Sequence, residues 1–215
     1  MSGPGGQGGT GEPGGPRGQG LRDVKREATA RALAQAAFEL AVERGLDGFT
    51  TDDIVSRAGY SRRTFANHYS CKEEAIVAVV LESVREGIET PADVPDDAPL
   101  LDWLHALARR QLSGPMLPTI RRLQALAHEH PTLEPYVLEA HRRIRLVALE
   151  VVSARAGTEH PALYVHLLVG AVYGALAAVL EGPFTIRTPD EPRTPGSLSL
   201  DTFLKTTFNH LRTGF

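Results

Sequence analysis

The stretch TTDDIVSRAGYSRRTFANHY, residues 50–69, decides the fold. It holds two short amphipathic segments separated by Ala58, Gly59 and Tyr60. Thr50 and Asp53 stand at capping-box spacing, so a helix is expected to start there, with Ile54 and Val55 opening its apolar face. Gly59 suits a turn position that needs positive φ. Ser61 is placed to cap the second segment. Two helices joined by such a turn form a helix-turn-helix, whose second helix enters the major groove of DNA. That helix carries Arg62, Arg63, Thr64, Asn67 and His68. Arg can read guanine O6/N7 and Asn can read adenine. Lys72 follows in the first turn of the next helix, where backbone N–H groups and the helix dipole favour a phosphate. The competing reading is a solvated basic face on an ordinary helical hairpin.

Upstream, Val24, Ala28, Leu33, Ala36, Ala37, Leu40 and Ala41 recur at helical steps from about Val24 until Gly45, with Arg44 suited to the helix C-terminus. Downstream, Ser70 and Glu73 form a second capping-box pair. They open a helix through Ile76, Val80, Val84 and Ile88 that Pro91 ends. Residues 91–99 are Pro- and Asp-rich and read as a loop. Helical stretches follow at about 100–112, 116–129, 132–156, 160–182 and 199–212. Pro183, Pro189, Pro192 and Pro195 make 183–198 a loop. Neither strand-like alternation of useful length nor an internal repeat is present, so the class is all-α. Residues 1–20 are about half glycine and are expected to be disordered. The expected organisation is a tail (1–20), a helix-turn-helix domain (21–70) and a helical body (71–215).

The formal net charge of −3 does not advertise a nucleic-acid binder. The charge is unevenly spread, however. Residues 21–72 carry nine Lys/Arg against seven Asp/Glu, and residues 73–215 carry thirteen against eighteen. A DNA-binding end on an acidic body gives this distribution. The single cysteine, Cys71, excludes an intramolecular disulfide and favours a reducing compartment. The N-terminus lacks a basic segment followed by an apolar one, so no signal peptide is expected. The expected location is the cytoplasm.

Residues 36–76 resemble the tetracycline-repressor (TetR) family of regulators. The resemblance is carried by Ala36-Ala37, Gly45, Thr50, Asp53-Ile54, Ala58-Gly59, Ser61, Thr64, His68, Ser70, Lys72 and Glu73 in one uninterrupted register. It implies an Ω-shaped homodimer with a three-helix DNA-binding head and a variable helical body holding an effector pocket. It also implies that Thr50, Ser61, Arg62, Arg63, Thr64, Asn67, His68 and Lys72 fall where the family touches an operator, a (pseudo)palindromic duplex. Two positions depart from the family pattern. Ala41 stands where a Phe is frequent, and Ala66 stands where a phosphate-binding Tyr is frequent. The rings near Ala66, Phe65 and Tyr69, are expected to pack inward.

In the body, Trp103, Leu107, Met116, Leu123, His128, Tyr136 and Tyr164 offer the apolar lining with a few polar groups that small organic ligands use. Each aromatic among them could equally be plain core. The segment His160–Leu180 is nearly uncharged and carries Gly170 and Gly174 at GxxxG spacing. Its length matches a membrane span, but His160, Tyr164, His166 and Tyr173 argue for a helix buried on most faces. Together with 199–212 it is the expected dimer interface, about 160–182 and 199–212. His128, Glu129, His130 and His141 invite a metal reading, but residues i and i+2 on a helix do not share a face. No metal site and no cofactor are expected. Cys71 could sense oxidants at a helix start, or simply be a small residue there. No nucleophile elbow, phosphate loop or paired catalytic carboxylates stand out, so no enzyme is expected. The reading is a repressor released by a small effector. A ligand-independent repressor and a helical protein-binding adaptor are the alternatives. Duplex binding that weakens steeply with salt separates a phosphate-contacting head from an adaptor.

Overall fold

The computed structural model describes residues 17–89, 94, 95, 97–181, 185–188 and 191–214. Of the tail expected to be disordered (1–20), residues 1–16 lie outside these, and residues 17–20 are instead the start of a helix. The described residues are mostly helical: α1 (Arg17–Arg44), α2 (Thr51–Ala58), α3 (Arg62–Ala66), α4 (Lys72–Glu89), α5 (Leu100–Ser113), α6 (Met116–Glu129), α7 (Glu134–Ala156), α8 (Ala162–Glu181) and α9 (Leu200–Thr213). Helix α1 begins before Val24, where apolar periodicity first predicts it. Residues 22–26 are exposed, and Val24 is 62% exposed, so this first part extends beyond the packed face. A helix already nucleated by packing propagates more easily than it starts.

Local chemistry sets the boundaries of the head. Gly45 (φ 70°) and Gly59 (φ 74°) take the left-handed conformations that end α1 and α2. Ser61 caps α3 by accepting from the Thr64 amide at 3.1 Å. The second capping box is displaced by one residue from its expected position. Glu74, not Glu73, reaches back to accept from the Ser70 amide at 2.8 Å and its hydroxyl at 2.7 Å. Helix α4 starts at Lys72, so Glu74 is its third residue and Glu73 its second.

Two apolar cores organise the packing. The first joins Leu33, Ala37 and Leu40 of α1 to Ile54, Phe65 and Tyr69, and continues through Ile76 and Val80 of α4 to Ile120, Leu133 and Ala140. It therefore crosses the residue-70 boundary between the expected domains. Ala41 lies within it, fully buried. The second core holds α5, α7, α8 and α9 together around Leu104, Val152, Val169, Leu204 and Phe208. Residues 183–198, expected to be loop, contribute a parallel two-stranded pair, β1 (Thr185–Arg187) with β2 (Ser197–Ser199). Each strand has three residues, too few to display alternation. Ile186 drops into the second core. Among the described residues, no helix is long and apolar enough to cross a membrane.

Gly59→Val is expected to destabilise the protein by about 1–2 kcal/mol, because a β-branched residue is strained at positive φ. Thermal unfolding checks this. A melting temperature equal to the parent's removes the claim that the turn depends on glycine.

Candidate nucleic-acid interface

Helices α2 and α3 are held to α1 by ion pairs and caps. Arg57 grips Glu43 with a two-pronged contact at 2.8 and 2.6 Å and lies 3.8 Å from Glu39, tying α2 to α1. Asp53 accepts from the Thr50 amide and hydroxyl, both at 2.8 Å. These Thr50 bonds, then Arg44, hold the Asp53 carboxyl below its ordinary pKa. Phe65 and Tyr69 point inward, 3% and 7% exposed, and the Tyr69 hydroxyl donates to the Ala30 carbonyl at 2.9 Å. The inward face of α3 is thereby committed to the core.

What remains outside is polar and basic. Ser61, Arg62, Arg63, Ala66 and Asn67 are exposed, and Thr64 is half-buried. Arg63 makes no ion pair among the described residues. Arg62 is engaged by Asp52 through Nε and a terminal nitrogen, and the pairing lowers the Asp52 carboxyl and raises the guanidinium. Asp52 has no role in the sequence reading. An acid in the first turn of a helix looks like a dipole partner, and only the angle between α2 and α3 sets it opposite Arg62. Before Arg62 can bond a base it has to exchange this partner.

Two other expected contacts stand apart from the exposed basic group. His68 lines a cleft beside α1 with Asp23 and Arg26, and burial, then Arg26, lowers its pKa. The Lys72 ammonium donates to the carbonyls of Leu46 (2.6 Å) and Phe49 (3.2 Å) and sits 5.1 Å from the Phe49 ring centre. An ammonium has three donors. Two are occupied in joining α4 to the loop that enters α2, a role the sequence did not signal. Thr50 is exposed at that loop's end.

The body contains two small apolar cavities, of about 80 and 120 Å3. Leu112, Met116, Ile144, Tyr173 and Leu176 line both. Of the residues expected at a pocket, Met116 lines both cavities, Leu123 the smaller and Leu107 the larger. Trp103 packs against the second core without lining either cavity. His128 is exposed, Tyr136 lines the cleft beside α1, and Tyr164 is 41% exposed and stacks on His160 at 4.9 Å. Tyr173 and Ile144 are not among the pocket residues expected from sequence, because periodicity does not tell which face of a long helix meets a cavity. Among the described residues, no group of three or more His, Cys, Asp or Glu is placed to hold a metal.

Residues 33–79 match the family model of the bacterial regulatory proteins of the tetR family. Residues 111–215 match that of the MftR C-terminal domain. No curated protein matches the chain. Similar solved structures include a protein of Mesorhizobium loti described as a TetR-family transcriptional regulator: 21% identity, TM-score 0.47, 87% of this chain and 95% of that one. Another is a TetR/AcrR-family regulator of Thermobifida fusca: 18% identity, TM-score 0.46, 89% and 98% covered. A TetR regulator of a Rhodococcus species has 20% identity and TM-score 0.46, with 87% and 94% covered.

Lys72→Met is expected to lower stability by about 1–3 kcal/mol, since two buried carbonyls lose a charged donor. Urea denaturation measures it. An unchanged midpoint means the ammonium does not brace the head.

Proposed function

The chain belongs to the TetR family of transcriptional regulators, and from that premise we propose that it is a repressor. It binds a pseudo-palindromic operator as a homodimer and leaves it when a small organic effector enters the body. The observation that carries the DNA-binding reading is the outer face of α3. Arg62, Arg63 and Asn67 are exposed on a helix whose opposite face is fixed by Phe65 and whose start is capped by Ser61. A rigid scaffold presenting exposed Arg and Asn is what base-edge reading requires. The Ser61 and Thr64 hydroxyls bond each other at 2.9 Å and leave one O–H for a phosphate, whereas the Thr50 hydroxyl has first to leave Asp53. The remaining donor of Lys72 is available for the same purpose.

The dimer reading is supported by α8. Leu163 is 70% exposed and Leu167 64% exposed, in line with exposed Gly170 and Gly174. A side chain added at either glycine would meet nothing within 4 Å in the single chain. An apolar stripe with small residues at its centre suits close approach by a second helix. Helix α9 adds a more polar margin through Thr202, Thr206 and Asn209, all exposed.

The effector reading is supported by the paired cavities. Their lining is apolar apart from Gln111, Gln124, His141 and Tyr173. Met116 stands in the lining of both, and an unbranched thioether side chain readily changes rotamer. Its displacement would merge the two spaces for an apolar ligand. Val77, Val80, Val84 and Ile88 of α4 also line them, while Lys72 fastens the same helix to the head. A ligand that favours a different α4 position would move the heads off successive major grooves, about 34–36 Å apart. It does so only by its difference in affinity for the two states.

Arg63→Ala is expected to cost roughly 1–3 kcal/mol of operator affinity and to relax preference at one operator position. Fluorescence anisotropy against a randomised operator set measures both, and an unchanged preference removes Arg63 as a base reader. Gly174→Glu is expected to convert the dimer to monomer or aggregate. A light-scattering mass that still reports an intact dimer would place the interface elsewhere.

A further inference from the structure

Beside the head lies a cleft of about 880 Å3, far larger than either apolar cavity. Its lining comes from α1, the link between α3 and α4, α4 itself and the first turns of α7. It is separated from the smaller apolar cavity by Val77 and Ala140, which belong to both linings.

Glu82 of α4 lines this cleft with a side chain only 5% exposed. One carboxylate oxygen accepts from Arg85 at 3.0 Å. The other, Oε2, is buried and has no hydrogen-bond partner. A buried acceptor without a donor is costly and uncommon in folded proteins. Burial pushes the Glu82 carboxyl above its ordinary pKa, against the opposing pull of Arg85 and Arg31.

The charges around Glu82 decide what kind of donor fits. Over the whole lining five residues are Asp or Glu and three are Arg, an acidic surplus, while Glu82 itself is faced by Arg85, Arg31 and Glu27. Arg143 is tied to Glu139 at 2.9 Å, and Arg31, which faces Glu82 from α1, pairs with Glu86 at 3.4 Å. Glu27 adds a further negative field at Glu82. Burial, then Arg26, lowers the pKa of His68 and so disfavours its positive form. Next to these charges lies an apolar strip of Val77, Ala78 and Leu81, with Tyr136 on the α7 side. Arg85, 43% exposed, is the neighbour with room to swing outward.

We propose that this cleft is a binding site for an organic cation. An ammonium or amidinium donates to Glu82 Oε2, and its apolar body lies on Val77, Ala78, Leu81 and Tyr136. The site is distinct from the apolar cavities, whose linings contain no carboxylate. An occupant touches the head through α1 and Tyr69 and the body through α7 at once.

Isothermal titration of the full chain with n-octylammonium tests this, with octanol and octanoate as probes of matched length. The expected result is saturable binding of octylammonium, with both other probes binding more weakly. Glu82→Gln is expected to weaken it at least about tenfold, the loss of a charged hydrogen bond. Glu27→Gln, on the partly exposed α1 wall, is expected to weaken it several-fold. It stands in for Glu82→Gln if circular dichroism reports that variant unfolded. The proposal is overturned if octylammonium does not bind, if octanol or octanoate binds as tightly, or if the folded glutamine variants bind it like the parent.

Discussion

Helix α4 buries Ala75, Ile76, Val79 and Val80 in one apolar cluster that also contains Leu33, Ile54 and Phe65 from the head and Ile120, Leu133 and Ala140 from the body. The rest of the molecule depends on this shared packing. Close-packed interiors transmit displacement because they have few voids to absorb it. A shift of α4 is therefore felt by the residues under α3. The same helix lines both apolar cavities and the acidic cleft. Three spaces of different chemistry thus border the element that carries the head.

Polar interactions then fix how the head is presented. The Lys72 ammonium bonds the carbonyls at the entrance to α2, Arg57 bonds Glu43 across to α1, and the Tyr69 hydroxyl bonds the Ala30 carbonyl. Each joins separate segments of the chain, and the Lys72 and Tyr69 bonds satisfy carbonyls that would otherwise lie poorly solvated. The Asp52–Arg62 pair is the most open to solvent of these contacts, with side chains 53% and 75% exposed. Solvent screening makes such a pair weak. It can therefore yield to a phosphate or base without disturbing the fold beneath it.

Much of the fold is legible in the sequence because its signals are local. Thr50 with Asp53, Gly59 and Ser61 act within one helical turn, so their caps and break appear where the spacing puts them. The helix-turn-helix and the TetR family follow from that register. The body helices are equally readable, since 3.6-residue periodicity is a property of the chain. The β1–β2 pair is not, because three-residue strands leave no periodic trace and pair only when the flanking loop returns. The pocket residues were partly legible: Leu107, Met116 and Leu123 line cavities, whereas Trp103, His128, Tyr136 and Tyr164 do not line them. Composition reports which side chains suit a pocket, but not which face of a helix meets one.

By itself the sequence determined the all-α class, the boundaries of α2 and α3, the capped turn that builds the head and the identity of its exposed basic residues. These depend on contacts a few residues apart, where the covalent chain fixes the geometry. Only the tertiary structure decided that Lys72 joins α4 to the head, that Asp52 holds Arg62, that His68 faces a cleft, and that Glu82 is buried with one oxygen unmet. Those outcomes turn on how helices distant in sequence cross. That crossing is set by the fit of whole apolar faces rather than by any single residue's neighbours along the chain.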